Sequence, residues 1–299
     1  MKPGVHFDVP EADYHADCAD EPSLSCSVAR ILIEQTARRA QHAHPRLTSM
    51  PRERKASRQM EEGTVLHQLL LGTPPSAEII EAADYRTAAA REARDAAAAA
   101  GRLPVLARRW PELQAIAGQA RQSIAGVPEL APMLDAEARS EATLIWQDLG
   151  GVLCRARVDR MVPGAGSPMF DLKFTSKVDP LGKWDRRMVE DAFDLRAAFY
   201  GRGYEALFGR TAPYVFVVIE IAEPCDVLPL QCTPQMLELG ESKAATAIDL
   251  WAGCMRTGRF DGYARRVHHV SPPGWAEMAW NDSQAMRALP AMSRTRIPA

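Results

Sequence analysis

The sequence predicts an α/β fold: a central mixed, partly antiparallel sheet flanked by helices, with a mainly helical N-terminal part. Three observations predict it. Helical patterns fill most of the first 135 residues, short segments alternating apolar and polar residues cluster from Glu141 to Cys232, and a further helical pattern follows them. The composition, 46% hydrophobic and 25% charged over 299 residues, is that of a globular chain with a sizeable core, which excludes fibrous, collagen-like and wholly disordered proteins. The most apolar stretch, Tyr214 to Ala222, is nine residues long and contains Glu220. It falls far short of the roughly 20 residues of a membrane span. The first residues lack the basic start and apolar run of a secretory signal, so a cytoplasmic location is expected. Six cysteines without a C-x-x-C pair read as reduced thiols.

Taken in order, one of Ser23, Ser25 and Ser27 caps a helix running through Ala29 to Arg39, and a second helix spans Arg58 to Leu71, stopped by Gly72 and Pro74–Pro75. An alanine-rich helix occupies 87–100, and another continues over Leu103 to Ile124 after the breaks at Gly101 and Pro104. Strands follow at 141–147, 151–162 and 168–175, then a helix over 184–208, strands at 213–222 and 226–232, and a helix over 234–257. Segment 213–222 is apolar on both faces, which marks a buried central strand. Met236, Trp251 and Met255 of the last helix read as core. The expected organisation is a single domain over 1–299: a mainly helical part to 135, the sheet and its helices over 136–260, and a tail over 261–299.

Charge is unevenly spread although the net charge is only −2. Residues 1–22 carry six acids against one base, whereas residues 30–58 carry eight bases, Arg54, Lys55 and Arg58 among them, against two acids. The basic run is either a solvated helix and loop or a surface for phosphates. Adjacent His268 and His269, beside Arg265 and Arg266, read as a polar surface stretch.

Chemistry concentrates in two strands. In 151–162, Val152, Cys154, Ala156 and Val158 share one face, with Arg155, Arg157 and Asp159 on the other; in 169–175, Phe170, Leu172 and Phe174 oppose Asp171, Lys173 and Thr175. The turn-rich link Pro163–Pro168 makes a hairpin whose fold about residue 165 sets 159 opposite 171. Like charges opposed across strands destabilise the pair. Either Arg157 and Lys173 neutralise them in a salt-bridge cluster, or a divalent cation does; the geometry leaves both open. In the second case Lys173 would orient or help deprotonate a water attacking a phosphodiester.

Val158-Asp159-Arg160, followed twelve residues after Asp159 by Asp171-Leu172-Lys173, resembles the D…(D/E)xK signature of the PD-(D/E)XK nuclease superfamily. Upstream, Gly63-Thr-Val-Leu-His67 looks like the GxxxH motif of its RecB- and RecE-type branch, and downstream Arg196-Ala-Ala-Phe-Tyr200 resembles that branch's QxxxY helix. Tyr14-His15, Ser23-Leu-Ser25, Glu141, Gly262-Tyr263 and Pro273-Gly-Trp275-Ala276 extend the likeness to the RecE-like exodeoxyribonuclease VIII family of prophages, over roughly residues 14–276.

The resemblance implies a PD-(D/E)XK nuclease-like core in which His67, Asp159, Asp171 and the carbonyl of Leu172 ligate Mg²⁺, with Mn²⁺ able to substitute. It implies that Lys173 serves the nucleophilic water, with Glu141 as a further acid or a plain strand-edge residue. Arg196 stands where the family has glutamine and, with Tyr200, Arg157 and the basic residues Arg54, Lys55 and Arg58, is expected on the DNA. Arginine there can grip a phosphate, or it marks altered substrate choice or weakened activity. Some related nucleases hold an iron–sulfur cluster on one early and three closely spaced late cysteines; Cys225, Cys232 and Cys254 are too far apart, so no cluster is expected.

The expected function is a metal-dependent exonuclease on duplex DNA ends that exposes single strands for recombination. The 5′ to 3′ polarity, a single-strand annealing protein as partner and a ring-shaped homo-oligomer are implied by the resemblance alone. The rivals are a non-catalytic DNA-end binder on a nuclease fold and a restriction-like endonuclease.

Overall fold

A computed structural model of the chain describes residues 1–48, 58–73, 76–148, 150–164 and 166–288. It divides into two compact units, Met1–Gly262 and Tyr263–Ala299. The first begins with β1 (Gly4–His6), α1 (Glu11–His15), β2 (Leu24–Ser25), α2 (Cys26–Glu34), α3 (Ala37–Ala43) and α4 (Arg58–Leu71). A small parallel pair, β3 (Ala77–Ile80) and β4 (Leu103–Leu106), is interrupted by α5 (Ala88–Ala99) and followed by α6 (Trp110–Ala125). Then come β5 (Arg139–Gln147), β6 (Leu153–Met161), β7 (Met169–Thr175), α7 (Trp184–Glu190), α8 (Phe193–Phe208), β8 (Tyr214–Glu220), β9 (Val227–Gln231) and α9 (Pro234–Thr257). In the second unit the described residues form α10 (Gly274–Ala288), with Trp275, Met278 and Met286 exposed. Among the described residues no helix is long and apolar enough to cross a membrane.

The main sheet is mixed, in the order β1-β5-β6-β7-β8-β9. β5, β6 and β7 run antiparallel, β8 lies parallel to β7, and β9 closes the edge antiparallel. β6 shares one edge between two neighbours: its end meets β7 at Arg160↔Phe170, while its start meets β2 at Leu24↔Cys154 and Ser25↔Arg155. The two partners therefore leave β6 at different points, and the sheet opens between β6 and β7.

Helices cover both faces because β8 is apolar on both, as expected from its sequence. Tyr214, Phe216 and Val218 join a core with α2, α8 and α9 that includes Leu32, Phe199 and Trp251. Val215, Val217 and Ile219 join a second core with Leu70 and Leu71 of α4 and Ile124 of α6. Side chains of about Leu or Phe size buried in this way stabilise a fold by roughly 1.5–3 kcal/mol each before entropy is counted.

The structure departs from the sequence expectation at several elements. Leu103–Leu106 is a strand instead of the start of a helix, because Pro104 obstructs a helix there and β3 offers it a partner. The first expected helix is two: Ser25 caps α2 by accepting from Val28, and Thr36 caps α3 by accepting from Arg39. The helix expected over 184–208 breaks at Ala192, whose φ of 57° lies in the left-handed region. The tail contains a helix, and Met255 is exposed while Trp251 is buried.

Candidate active site and metal centre

The site forms where β5 and β6 lose regularity. Ladder pairs run on both sides of position 141, at Ser140↔Arg160 and Ala142↔Val158, while Glu141 itself has a φ of 55°. A non-glycine residue in that region costs of order 1–3 kcal/mol, and such strain concentrates at functional sites. β6 changes face at the same level: Val158 lies in the core under α8, whereas Arg160 lines a cavity of about 240 Å³ with Leu70, Ile124 and Met133 on the α4 side. Irregular strand backbone of this kind re-aims side chains. It turns Glu141 toward His67 of α4, which Asp159 also reaches from the side of β6 opposite Val158.

Helix α4 is anchored by Val65 and Leu66 in one cluster and by Leu70 and Leu71 in another, and it delivers His67 between the two acids. His67 Nδ1 lies 3.1 Å from Glu141 Oε1 and Nε2 lies 3.1 Å from Asp159 Oδ2. Only an imidazolium donates from both nitrogens. Burial pulls the His67 pKa down, but the Asp159 and Glu141 carboxylates outweigh it and raise it. Burial also opposes the charged Asp159, which His67, Lys173 and a backbone hydrogen bond nevertheless hold below the usual carboxylate range. Glu141 goes the other way: burial and the Asp159 charge push it up against His67 and Arg157.

Asp171 and Lys173 stand across the opening of the sheet. The pair Arg160↔Phe170 gives the expected hairpin register, in which 159 stands opposite 171. The two aspartates have different nearest partners: Asp159 meets His67 and the Leu172 amide, and Asp171 meets Lys173 and Arg196. β6 buries Cys154, Ala156 and Val158 in the α8-side core and β7 buries Phe170 and Leu172 in the other, while Lys173 still acts on Asp159 and Asp171 on His67. Asp171 pairs with Lys173 and, at 3.2 Å, with Arg196 of α8. The Leu172 amide donates to Asp159 Oδ2 at 2.7 Å, so a carboxylate takes the place of a strand carbonyl, and Lys173 Nζ lies 3.3 Å from Leu172 O.

The remaining expected residues fall as follows. Tyr200 is buried, edge-on to Tyr214 at 5.2 Å, with the Arg196 guanidinium 5.9 Å from its ring centre. Arg157 donates from Nε to Glu141 and so orients an acid of the site. Arg54 and Lys55 lie outside the described residues, as does the side chain of Arg58. Elsewhere in the basic run, Arg30 donates to the carbonyls of Glu190 and Asp191 and Arg46 to those of Ala19 and Asp20, so these two arginines hold the fold together. His268 and His269 are exposed.

Two features escaped sequence reasoning. Tyr14 presents its ring to both Arg155 and Arg157, and Asp17 forms a buried cluster with His44, Arg155 and Ser23. The first was signalled only by the Tyr14-His15 motif, the second by nothing.

His67, Glu141 and Asp159 offer one imidazole nitrogen and two carboxylate oxygens that all lie within 4.8 Å of one another. Two half-buried acids brought this close, with the Asp159 charge pushing the Glu141 pKa up, are what a divalent cation neutralises, and oxygen donors with one imidazole suit Mg²⁺ or Mn²⁺. The donor set therefore fits such an ion. Asp171 is not part of this trio and remains tied to its two cations.

A family model, the PDDEXK-like domain of unknown function (DUF3799), matches residues 117–270, just over half of the chain. That span contains Glu141, Asp159, Asp171, Lys173, Arg196 and Tyr200, and His67 lies before it. No curated protein matches the sequence. Among solved structures, the crystal structure of a "Putative exonuclease" from Eubacterium rectale is similar, at a TM-score of 0.57 and 12% identity, covering 91% of this chain and 98% of that one. At this identity the likeness is one of fold.

Proposed function

The chain belongs to the family of PDDEXK-like domains described as DUF3799, and from that premise we propose that it is a divalent-metal-dependent nuclease, an exonuclease acting from duplex DNA ends. The observation that carries this reading is the meeting of His67, Glu141 and Asp159 beside the Asp171–Lys173 pair. The name of the similar Eubacterium rectale protein points the same way.

His67, Glu141 and Asp159 would hold the ion, which supplies Lewis-acid polarisation of a phosphoryl oxygen and a more acidic water. Each remaining task falls to a group of the chain. Arg157 keeps Glu141 turned inward. The Leu172 amide fixes the Asp159 carboxylate. Lys173 presents its ammonium at the mouth between Asp171 and Leu172 O, where it orients the attacking water and meets the charge that develops on the phosphate. Arg196 is placed to grip a phosphate oxygen once Asp171 releases it. The 5′ to 3′ polarity, the annealing-protein partner, the role in recombination and a ring-shaped oligomer belong to this proposal through the resemblance to RecE-like enzymes.

The test is a digestion of linear duplex DNA, labelled at the 5′ or the 3′ end, with Mg²⁺, Mn²⁺ or EDTA. Release of nucleotides from linear DNA, sparing closed circles, is expected with either metal and not with EDTA. Cutting of closed circles would establish an endonuclease instead. Arg196 favours one rival, a non-catalytic end binder, because two cations already neutralise Asp171; a gel shift of linear DNA without release of nucleotides under any divalent ion would establish it.

A further inference from the structure

Helix α1 carries Tyr14 against the charged side of β6. Its ring centre is 5.7 Å from the Arg155 guanidinium carbon and 5.4 Å from that of Arg157. Each guanidinium is anchored on its far side. Arg155 Nη1 reaches Asp17 Oδ1 at 2.9 Å and Ser23 Oγ at 2.8 Å, and Arg157 Nε reaches Glu141. Each also keeps one buried nitrogen with no hydrogen-bond acceptor, Nε of Arg155 and Nη1 of Arg157.

Buried N–H groups without an acceptor are costly, and two cations two residues apart on one strand face repel. A neutral phenol ring over which both guanidinium groups lie answers both problems, because its negative quadrupole attracts the two cations. The arrangement forms a continuous line from Asp17 through Arg155, Tyr14 and Arg157 to Glu141, which touches His67.

We infer that Tyr14 is a positioning residue for the metal centre: its ring fixes Arg157, and Arg157 in turn holds Glu141 beside His67 and Asp159. The inference rests on the metal-centred reading above and adds a residue some 130 positions from the acid it serves. It predicts that the π face of the residue at 14, more than its hydroxyl, sets the affinity for the ion.

The experiment measures Mn²⁺ affinity of the full chain by equilibrium dialysis or electron paramagnetic resonance, with a melting curve for each variant. Tyr14→Phe is expected to bind within about twofold of wild type, and Tyr14→Leu about tenfold more weakly, as for other partners that orient metal ligands. Phenylalanines of increasing ring fluorination at position 14 keep the shape while draining the π face, so they carry the test even where the leucine variant fails to fold. Affinity should fall stepwise with fluorination. A flat fluorination series overturns the inference, as does a folded Tyr14→Leu with wild-type affinity or a Tyr14→Phe as weak as Tyr14→Leu. A wild type that binds no Mn²⁺ removes the metal-centred reading and this inference with it. Graded Mn²⁺ binding without DNA cleavage supports the inference and overturns only the nuclease.

Discussion

Arg196 Nη1 lies 3.2 Å from Asp171 Oδ1, and the Asp171 side chain is only 2% exposed. With Lys173 on its other oxygen, this carboxylate is neutralised twice over, and a cation bound by His67, Glu141 and Asp159 must compete with both to recruit it. The glutamine of the resembling family can hydrogen-bond an aspartate without cancelling its charge. Arg196→Gln is therefore expected to tighten Mn²⁺ binding by about fivefold, on the order of 1 kcal/mol for a partly exposed ion pair, while weakening the hold on DNA. Isothermal titration of both proteins checks this, and equal Mn²⁺ affinities would show that the arginine does not restrain Asp171.

Asp159 has a structural task beside the chemical one proposed for it, because its Oδ2 accepts the Leu172 amide. An asparagine side chain retains a carbonyl oxygen that can accept the same bond. Asp159→Asn is expected to melt within a few degrees of wild type yet release nucleotides at least about a hundredfold more slowly, as is Lys173→Ala. The two should separate in Mn²⁺ affinity, which falls for Asp159→Asn and holds for Lys173→Ala.

The buried cluster of Asp17, His44 and Arg155 makes a prediction for acid stability. Burial raises the Asp17 pKa, but the hydrogen bond from His44, the Arg155 charge and Ser23 outweigh it, so the net shift is below the ordinary 3.8. A carboxylate depressed in the folded state contributes stability that is complete above its unfolded pKa and is lost as the pH falls through the folded one. Asp17→Asn leaves Arg155 buried without its counter-ion and should cost about 3 kcal/mol near neutral pH. The gap between variant and wild type, followed by urea unfolding, should close progressively below about pH 4. A gap independent of pH would assign the loss to packing.

Helices α8 and α9 meet at a glycine. A Cβ on Gly240 would stand 2.1 Å from the carbonyl oxygen of Asp194 and 3.1 Å from Ala198 Cβ, and both are fixed in α8. Gly240→Ala should destabilise the protein by about 3 kcal/mol, since the helices must part. Gly253→Ala in the same helix meets nothing within 4 Å and should stabilise it by about 0.5–1 kcal/mol. Paired urea midpoints test both, and similar effects at the two positions would refute the close approach.

Much of this architecture is legible in the residues. The unbroken apolar run at 214–220 announces a central strand because both of its faces must be covered, and the turn-rich 163–168 link sets the β6–β7 register. The helix that bears His67 follows from its apolar spacing. What is not legible depends on partners far along the chain. Leu24–Ser25 is a strand only because β6 offers it an edge. That Glu141 also meets His67 and Asp159 is not legible, since the left-handed backbone at Glu141 carries no signature in a pattern of alternating residues. Cross-strand repulsion of the kind argued from sequence acts in the β5–β6 hairpin, where the Asp159 charge pushes the Glu141 pKa up.

The division of one β6 edge between β2 and β7 bears on how the protein can be trimmed. A shortened form beginning after Ser25 would strip the main-chain donors and acceptors of Cys154 and Arg155 of their neighbour and uncover a sticky border next to the opening between β6 and β7. Clipped material should clump in solution, because the leading segment is what covers that border.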